Sequence, residues 1–233
     1  MRPWYGFVHR LAAALLRFLL AREVRGLERI PKSGGVILAA NHGSFWDPPV
    51  LGGTVPREIT FLAKAELFEA PLFGALIRSL NSIPIRRGVA DLAGIGRAVD
   101  GLSKGAALLV FPEGGRMKDG RLHPARPGLG LLEAHARVPI VPIYISGTSH
   151  IRRCLLRLER VRVTVGEPLP ETLWFPAGTD PPQTGRALHQ AIGDRVMHEI
   201  ALLRQQEEAA RGVPTAPGPT FEGAASHERG GSS

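Results

Sequence analysis

The sequence predicts an α/β fold in which a mostly parallel central sheet is covered by helices. Six short apolar runs recur along the chain, and most of them do not alternate with polar residues, which indicates strands buried on both faces. Helix-like segments such as 91–103 and 127–137 separate the runs, an order typical of parallel sheets. With 233 residues, 44% of them hydrophobic, the chain is long enough for one such domain. The predicted strands are 35–40, 59–63, 82–85, 106–111, 140–145 and 161–165.

The first segment, residues 1–26, is predicted to form an amphipathic helix. On a helical wheel its large apolar side chains fall within an arc of about 120°, and Arg10 and Arg17 lie opposite. The arginines interrupt the apolar run too often for a transmembrane span, and no convincing signal-peptide cleavage site follows. We expect the helix to lie on a membrane surface, with packing on its own domain as the open alternative. The apolar arc contains Trp4, Phe7, Val8, Leu11, Leu15, Phe18 and Leu19.

The predicted domain spans residues 27–210 and ends in a helix over 185–210. Within it, the segment 64–81 is apolar almost throughout, and Pro71 is placed to start a new helical turn. That segment is either a deeply buried helix or part of a lipid-facing surface, and both interpretations stay open. The composition of 211–233 predicts a disordered tail.

Composition narrows the class of ligand. The net charge of +8 comes mainly from 25 arginines, which suit phosphate groups, an anionic membrane face or nucleic acid. Nucleic acid is disfavoured because the sequence has no basic helix, zinc-ligand spacing or aromatic-glycine strand signature. The histidines show no metal-ligand spacing, so we expect neither a metal nor a cofactor. Cys154 is the only cysteine, which excludes an intramolecular disulfide.

Polar clusters follow three of the predicted strands directly. NHGSFWD follows 35–40, RRG follows 82–85, and PEGGR follows 106–111. In a parallel sheet the carboxyl ends of the strands open on one edge, where α/β proteins bind their ligands. The three clusters are therefore expected to form one site.

His42 and Asp47 are the candidate acid–base pair. Five residues along a helix would separate them by about 140°, so a turn is needed to bring them together. Asp47 precedes Pro48, a favourable helix start, and its carboxylate has helix capping as an alternative role. If instead the carboxylate bonds one imidazole nitrogen, it fixes the tautomer and raises the basicity of the other nitrogen. His42 would then act as a general base.

Arginines at two of the strand ends form a candidate phosphate site. Arg86 and Arg87 follow 82–85, and Glu113, Gly114 and Arg116 follow 106–111. A guanidinium beside a glycine, where the backbone is open to close approach, suits an anionic group. Surface salt bridges and a simple glycine turn are the alternatives.

These motifs together resemble the glycerolipid acyltransferases, the family that contains 1-acylglycerol-3-phosphate acyltransferases. NHGSFWDP, IPIRRG, FPEGGR and VPIVPIYI are similar to the family's four motifs, in its order, across residues about 30 to 170. The segments FLAKAELF and VRVTVGEPL also resemble sequences of this family. The chain departs from the pattern at Gly115, where threonine is usual, and at Arg86, where aspartate often precedes the arginine.

The resemblance implies a glycerol-3-phosphate acyltransferase-like fold and a specific reaction. His42, oriented by Asp47, would deprotonate the free hydroxyl of 1-acylglycerol 3-phosphate, which would attack acyl-CoA or an acyl-carrier-protein thioester without an acyl-enzyme, giving phosphatidic acid. Arg87, Glu113, Gly114 and Arg116 would bind the substrate. The secondary candidates in the same motifs are Asn41, Ser44, Lys64, Arg86 and Gly115.

Two alternatives to this reaction remain. One is acyl transfer to glycerol 3-phosphate, a lysophospholipid or an aminolipid. The other is a catalytically silent protein that binds an anionic membrane surface. We expect the protein to be attached to the cytoplasmic face of a membrane, as a peripheral or monotopic membrane protein. Its expected partners are membrane lipid and an acyl thioester or acyl-carrier protein.

Overall fold

The fold is a seven-stranded sheet with helices on both faces. A computed structural model describes residues 1–86, 91–175 and 185–213. The strands are β1 (Arg22–Arg25), β2 (Val36–Ala40), β3 (Ile59–Lys64), β4 (Ser82–Ile85), β5 (Ala107–Val110), β6 (Ile140–Ser146) and β7 (Val161–Val165). The helices are α1 (Pro3–Leu19), α2 (Asp47–Gly52), α3 (Pro71–Ser79), α4 (Leu92–Ser103), α5 (Gly128–Ala136), α6 (Ile151–Leu155) and α7 (Arg186–Ala210).

The sheet order is β1-β7-β6-β2-β5-β3-β4, and the prediction of a mostly parallel sheet is confirmed. Strands β6, β2, β5, β3 and β4 all run in one direction. β7 pairs antiparallel with β6, and β1 pairs parallel with β7, so these two strands run the other way. The carboxyl ends of β2, β5 and β6 therefore lie side by side in the middle of one edge.

Both faces of the sheet are buried, which explains why the central strands lack alternation. Ile37 and Ala39 of β2 belong to a core formed with α4, α5 and α7. Leu38 and Ala40 of the same strand belong to a core formed with α2, α6 and the inner face of α1. Because every residue of β2 is buried, its sequence is a continuous apolar run.

The sequence prediction missed strand β1. Its sequence, REVR, carries three charges in four residues, because β1 is an edge strand with one paired neighbour and part of its surface in water. Apolar runs detect strands buried on both faces and overlook such an edge strand.

Helix α1 has two apolar faces. The inner face packs on the domain, where Tyr5 is buried and Leu16 contacts the core. On the outer face, large apolar side chains are about half exposed or more, with Phe18 the most exposed at 75%. Within the residues that the structure describes, no helix is both long and apolar enough to cross a bilayer. The exposed residues of this outer face are Trp4, Phe7, Leu11, Leu15, Phe18 and Leu19.

The segment 64–81 forms a short 3-10 turn over Ala65–Phe68 followed by α3, which begins at Pro71 as expected. The structure contradicts a deeply buried helix, because Leu72 is 89% exposed and Phe73 and Leu76 are also exposed, and a lipid-facing surface stays a prediction. The Nε1–H of Trp4 donates to Ser79 Oγ over 3.1 Å, so the start of α1 lies beside the end of α3.

The C-terminal part follows the predicted order. Helix α7 occupies the predicted position, and the chain is described as far as residue 213. Most of the predicted tail, residues 214–233, and residues 176–184 before α7 lie outside the described residues.

Candidate active site

The loops after β2 and β5 are joined by backbone hydrogen bonds. The N–H of Met117 donates to the carbonyl oxygen of His42 over 2.7 Å, and the N–H of His42 donates to Glu113 Oε2 over 2.8 Å. Two of the three predicted clusters therefore meet at the carboxyl edge of the sheet, as expected for parallel strands.

The side chains of His42 and Asp47 are in direct contact. His42 Nδ1 lies 2.9 Å from Asp47 Oδ2, and both residues are buried, Asp47 completely. The imidazole stacks on the ring of Phe111, with the ring centroids 4.0 Å apart and the planes 18° apart. Packing on one face and a carboxylate at Nδ1 hold the ring in one orientation, and the ring borders the cavity described below.

The Asp47 carboxylate does not cap helix α2, which corrects the alternative role considered from the sequence. The second and third residues of α2 are Pro48 and Pro49, which have no N–H to donate. Asp47 Oδ2 instead accepts the N–H of Ser44 over 2.8 Å, and Oδ1 accepts the hydroxyl of Thr148 over 2.5 Å. The carboxylate is thus held by three donors, one of which is the imidazole.

Thr148 is a site residue that the sequence analysis missed. It follows β6, a strand whose carboxyl end was not among the three clusters considered. β6 pairs directly with β2, and Asn41 fixes that junction by exchanging two hydrogen bonds with the backbone of Ile145, over 3.0 and 2.8 Å. Ser44 Oγ donates to the carbonyl oxygen of Thr148 over 3.0 Å. Polar residues after the fourth motif were the available signal.

Glu113 is buried, and both of its oxygens accept backbone N–H groups. Oε2 accepts from His42 and Oε1 from His123 over 3.2 Å. Burial raises the pKa of this carboxyl group, and the two backbone donors oppose that shift. These contacts join the two loops, and direct contact of Glu113 with a substrate stays a prediction.

Gly114 has a positive φ of 70°, and a Cβ at this position would lie 2.4 Å from Cδ of Arg126. Glycine is required here for backbone geometry and for packing, whatever the substrate. At Gly115 the nearest atom to an added Cβ is Met117 Cε at 3.9 Å, so the structure leaves space for the threonine that is usual in the resembling motif.

Arg116 and Lys64 supply positive charge to the cavity that His42 lines. Both line the same cavity as His42, although Lys64 is the last residue of β3 and Arg116 follows β5. The guanidinium of Arg116 lies 5.8 Å from the ring centroid of Phe45, and the ammonium of Lys64 lies 3.0 Å from Glu66 Oε1. Both cations are exposed and are therefore accessible to an anion in solution.

The second motif is only partly described. Arg86 follows β4 at the same edge, is exposed, and lies 4.0 Å from Asp91 Oδ2. It is not among the residues that line the cavity. Arg87 lies outside the described residues, so its predicted role stays a prediction.

An apolar cavity of about 430 Å³ extends away from His42. It runs between α1, β3 and α3, and His42 and Arg116 are among its polar lining residues. Cavities of this size take small organic ligands or part of a longer one. Its apolar lining includes Val8, Ala12, Phe61, Ala63, Phe73, Leu76, Ile77 and Leu80.

Comparison with known proteins identifies the family of this chain. The family model described as Acyltransferase matches residues 21–146, more than half of the chain and the whole stretch that carries His42, Asp47, Glu113 and Arg116. The chain belongs to the acyltransferase family.

Three relatives of this acyltransferase-family chain illustrate the match. A chloroplastic 1-acyl-sn-glycerol-3-phosphate acyltransferase of Brassica napus is 30% identical over 72% of this chain and 51% of its own length. A lyso-ornithine lipid O-acyltransferase of Pseudomonas aeruginosa is 32% identical over 82% of this chain and 85% of its own length. The crystal structure of the LPA acyltransferase PlsC of Thermotoga maritima superposes with a TM-score of 0.63 at 25% identity, covering 86% of this chain and 83% of that one.

This chain covers a different share of the length of each relative. The chain spans about half the length of the chloroplastic 1-acyl-sn-glycerol-3-phosphate acyltransferases of Brassica napus and Arabidopsis thaliana, and 63% of the 1-acyl-sn-glycerol-3-phosphate acyltransferase of Streptococcus pneumoniae. It spans most of the Bacillus subtilis 1-acyl-sn-glycerol-3-phosphate acyltransferase, at 82%, with 25% identity.

Proposed function

We propose that this protein transfers a fatty acyl group from an acyl thioester to the free hydroxyl of 1-acylglycerol 3-phosphate, giving phosphatidic acid. The observation that carries the proposal is the His42–Asp47 pair, joined over 2.9 Å, with His42 lining a mostly apolar cavity. The names of several relatives, from plants and bacteria, support this reaction.

In the proposed reaction His42 is the general base. Nδ1–H donates to Asp47, so Nε2 carries the lone pair and takes the proton of the acceptor hydroxyl. The hydroxyl oxygen forms the new ester bond with the thioester carbonyl carbon, the C–S bond breaks, and the thiolate leaves and is protonated from the imidazolium. Cys154 is the buried residue of α6, and burial raises the pKa of its thiol, which disfavours it as an acyl-accepting nucleophile.

Lys64 and Arg116 are proposed to bind the phosphate of the acceptor. Both line the cavity that His42 borders, and both are exposed and therefore available to a ligand. Guanidinium and ammonium groups are suited to phosphate, Arg by bidentate hydrogen bonding and Lys as a point charge. Arg87 is retained as a further predicted phosphate ligand.

The apolar cavity is proposed to hold the acyl chain of the donor, and its walls connect the site with lipid. Helix α1 lines the cavity with its inner side and exposes apolar residues on its outer side, while Phe73 and Leu76 of α3 both line the cavity and are partly exposed. An exposed apolar face on a helix next to a lipid-binding cavity suits the interface of a bilayer. We therefore retain the sequence-based interpretation that the protein works at a membrane surface.

Acylation of an aminolipid is a second candidate, favoured by one observation. The lyso-ornithine lipid O-acyltransferase is 32% identical and matches over 85% of its length, whereas the Bacillus subtilis 1-acyl-sn-glycerol-3-phosphate acyltransferase, matched over a similar 82%, is 25% identical. The proposed general base serves either acceptor, because both present a hydroxyl group. The headgroups differ, since a phosphate monoester carries more negative charge than a zwitterionic amino acid headgroup.

An acceptor panel distinguishes these functions. Purified protein is offered one labelled acyl-CoA with 1-acylglycerol 3-phosphate, glycerol 3-phosphate, lysophosphatidylcholine or lyso-ornithine lipid, and the products are identified by mass spectrometry. We expect labelled phosphatidic acid as the main product, and an Arg116→Ala variant with a raised KM for the acceptor. Labelled ornithine lipid as the main product would establish the second candidate, and no product from any acceptor would refute acyl transfer from CoA.

A further inference from the structure

We propose that the turn formed by residues 151–158, which we call the arginine–leucine turn, is a second bilayer-binding element that selects anionic lipid. The turn presents three leucines to solvent, and Leu156 and Leu158 are 71% and 69% exposed. Leu155, the third, is also exposed, at the end of α6. Three neighbouring exposed leucines are more than the scattered surface apolar residues of a monomeric protein.

The backbone holds these leucines outward in a defined conformation. Arg157 adopts a left-handed φ of 57°, which few residues other than glycine adopt. Three backbone hydrogen bonds close the turn, from Leu156 to Arg152, from Arg157 to Cys154 and from Leu158 to Arg153, over 3.1, 3.1 and 2.9 Å. The leucines are thus displayed by an ordered turn.

The turn lies at the end of the exposed face of α1. The guanidinium of Arg157 donates to the carbonyl oxygen of Phe18 over 3.2 Å, and Ile151 packs on the same core as Leu16. At the opposite end of α1, Trp4 bonds to Ser79 of α3. Exposed apolar side chains on α3, α1 and the turn therefore follow one another along the molecule.

The charges around the turn identify the occupant as an anionic bilayer. Arg152, Arg153, Arg157 and Arg160 are exposed, and the single acid among them, Glu159, lies 3.6 Å from Arg153. Leucines suit the acyl region of a bilayer, while guanidinium groups suit the phosphate level above it. The inference rests on the proposed function only in that a lipid-modifying enzyme has a bilayer to bind.

Vesicle binding tests the inference without requiring catalysis. Full-length protein is sedimented with vesicles of phosphatidylcholine alone or of equimolar phosphatidylcholine and phosphatidylglycerol. Leu156→Ser with Leu158→Ser should weaken binding to both vesicles by about tenfold or more, from lost apolar burial. Arg152→Gln with Arg153→Gln should weaken binding to the anionic vesicles alone, by about fivefold for each arginine. Leu173→Ser, an exposed leucine in another part of the chain, is the matched control and should change nothing.

Each result has one meaning. If Leu156→Ser with Leu158→Ser binds the vesicles as tightly as the wild type does, the proposal is wrong. The proposal is also wrong if that variant changes the oligomeric state in the absence of lipid, because the turn would then bind a second copy of the chain. Unchanged thermal unfolding of the variants excludes misfolding. Acyl transfer is measured separately in detergent micelles: its absence would refute the proposed function while the vesicle result still decides the turn.

A different observation carries a second proposal: we infer that Thr148 is a positioning residue for the proposed general base. Its hydroxyl donates to Asp47 Oδ1, the oxygen that His42 does not use, and Thr148 is 3% exposed. With Ser44 N–H on Oδ2, this bond fixes the carboxylate plane and so directs Oδ2 at the imidazole. Thr148 is not among the residues that line the cavity and acts through Asp47.

Thr148→Val removes the hydroxyl and keeps the shape of the side chain. On the proposed function, we expect kcat to fall about tenfold with little change in KM, since a hydrogen bond to a charged group is lost. Thr148→Ser should restore most of the rate. In an Asp47→Asn background, Thr148→Val should add no further loss, because Thr148 acts through the carboxylate. Wild-type kcat in Thr148→Val, or an equal further loss in the double variant, would overturn the inference.

A spectroscopic readout keeps this inference separate from the proposed function. The proton on His42 Nδ1 is observable by NMR when it is hydrogen-bonded to Asp47. Its resonance should shift in Thr148→Val and return in Thr148→Ser, whether or not any acceptor is acylated. An unchanged resonance in Thr148→Val would refute positioning.

Discussion

Replacing His42 with alanine is expected to lower acyl-transfer turnover by about a hundred- to ten-thousandfold, the usual contribution of a general base. Within the described part of the chain, His42 is the histidine whose ring bonds to Asp47, and this ring borders the apolar cavity. Thioester consumption and product formation are both measured, because hydrolysis alone would consume the donor without using the acceptor.

Two controls separate catalysis from folding. Because His42 stacks on Phe111, the alanine substitution leaves a buried gap. The first control is therefore His42→Asn, which fills more of that space and keeps an N–H donor for Asp47 near the position of Nδ1. Both His42 variants should lose the same rate, while His135→Ala, an exposed histidine on α5, should keep full activity. If His42→Ala and His42→Asn turn over as fast as the wild type with unchanged thermal unfolding, the general-base assignment is wrong.

Replacing Glu133 with glutamine is expected to remove a large pH dependence of stability. Glu133 is fully buried in α5, and burial raises the pKa of its carboxyl group from 4.5 to about 8. Its Oε2 accepts the N–H of Val138 over a long 3.4 Å, and its Oε1 has no partner among the described residues. The folded protein therefore keeps this group protonated at pH values where the unfolded chain ionises it.

The direction follows from proton linkage. Between about pH 4.5 and about pH 8 the folded state binds more protons at Glu133 than the unfolded state does, so the free energy of unfolding falls as the pH rises. The loss across this range is on the order of 4 kcal/mol. Glutamine is nearly isosteric and does not titrate, so its unfolding free energy should change far less over the same range.

Chemical denaturation at the two ends of that range measures the effect. The difference in unfolding free energy between Glu133→Gln and the wild type should grow in favour of the variant as the pH rises. Glu199→Gln, which removes an ion pair with Arg195 on the surface of α7, is the matched control and should leave the pH dependence as in the wild type. Parallel pH curves for Glu133→Gln and wild type would show that Glu133 is ionised in the folded protein.

Much of the sheet was predictable because its central strands are buried on both faces. Each of the six predicted runs coincides with a strand to within a residue or so, and Pro71 starts a helix as expected. Strand β1 was missed because an edge strand does not need an apolar sequence. The pairing of β6 with β2 was also hidden, because strand order depends on how helices pack across the sheet and leaves no local pattern.

The site shows the same division. The positions of its residues after β2 and β5 were predictable, since the ends of parallel strands share an edge. The roles of Glu113 and Asp47 became clear only from their hydrogen bonds in the structure. Glu113 is turned toward backbone N–H groups, and Asp47 toward Ser44, His42 and Thr148 instead of the start of α2.

By itself, the sequence determined the α/β class, the shared edge for His42, Asp47, Glu113 and Arg116, and the apolar character of the N-terminal helix, because periodicity and strand-end position are local properties of the chain. Only the tertiary structure decided which oxygen of Asp47 meets the imidazole, that Thr148 holds the other, and which face of α1 stays exposed. Those contacts join residues up to about a hundred positions apart, and packing of the whole domain selects them.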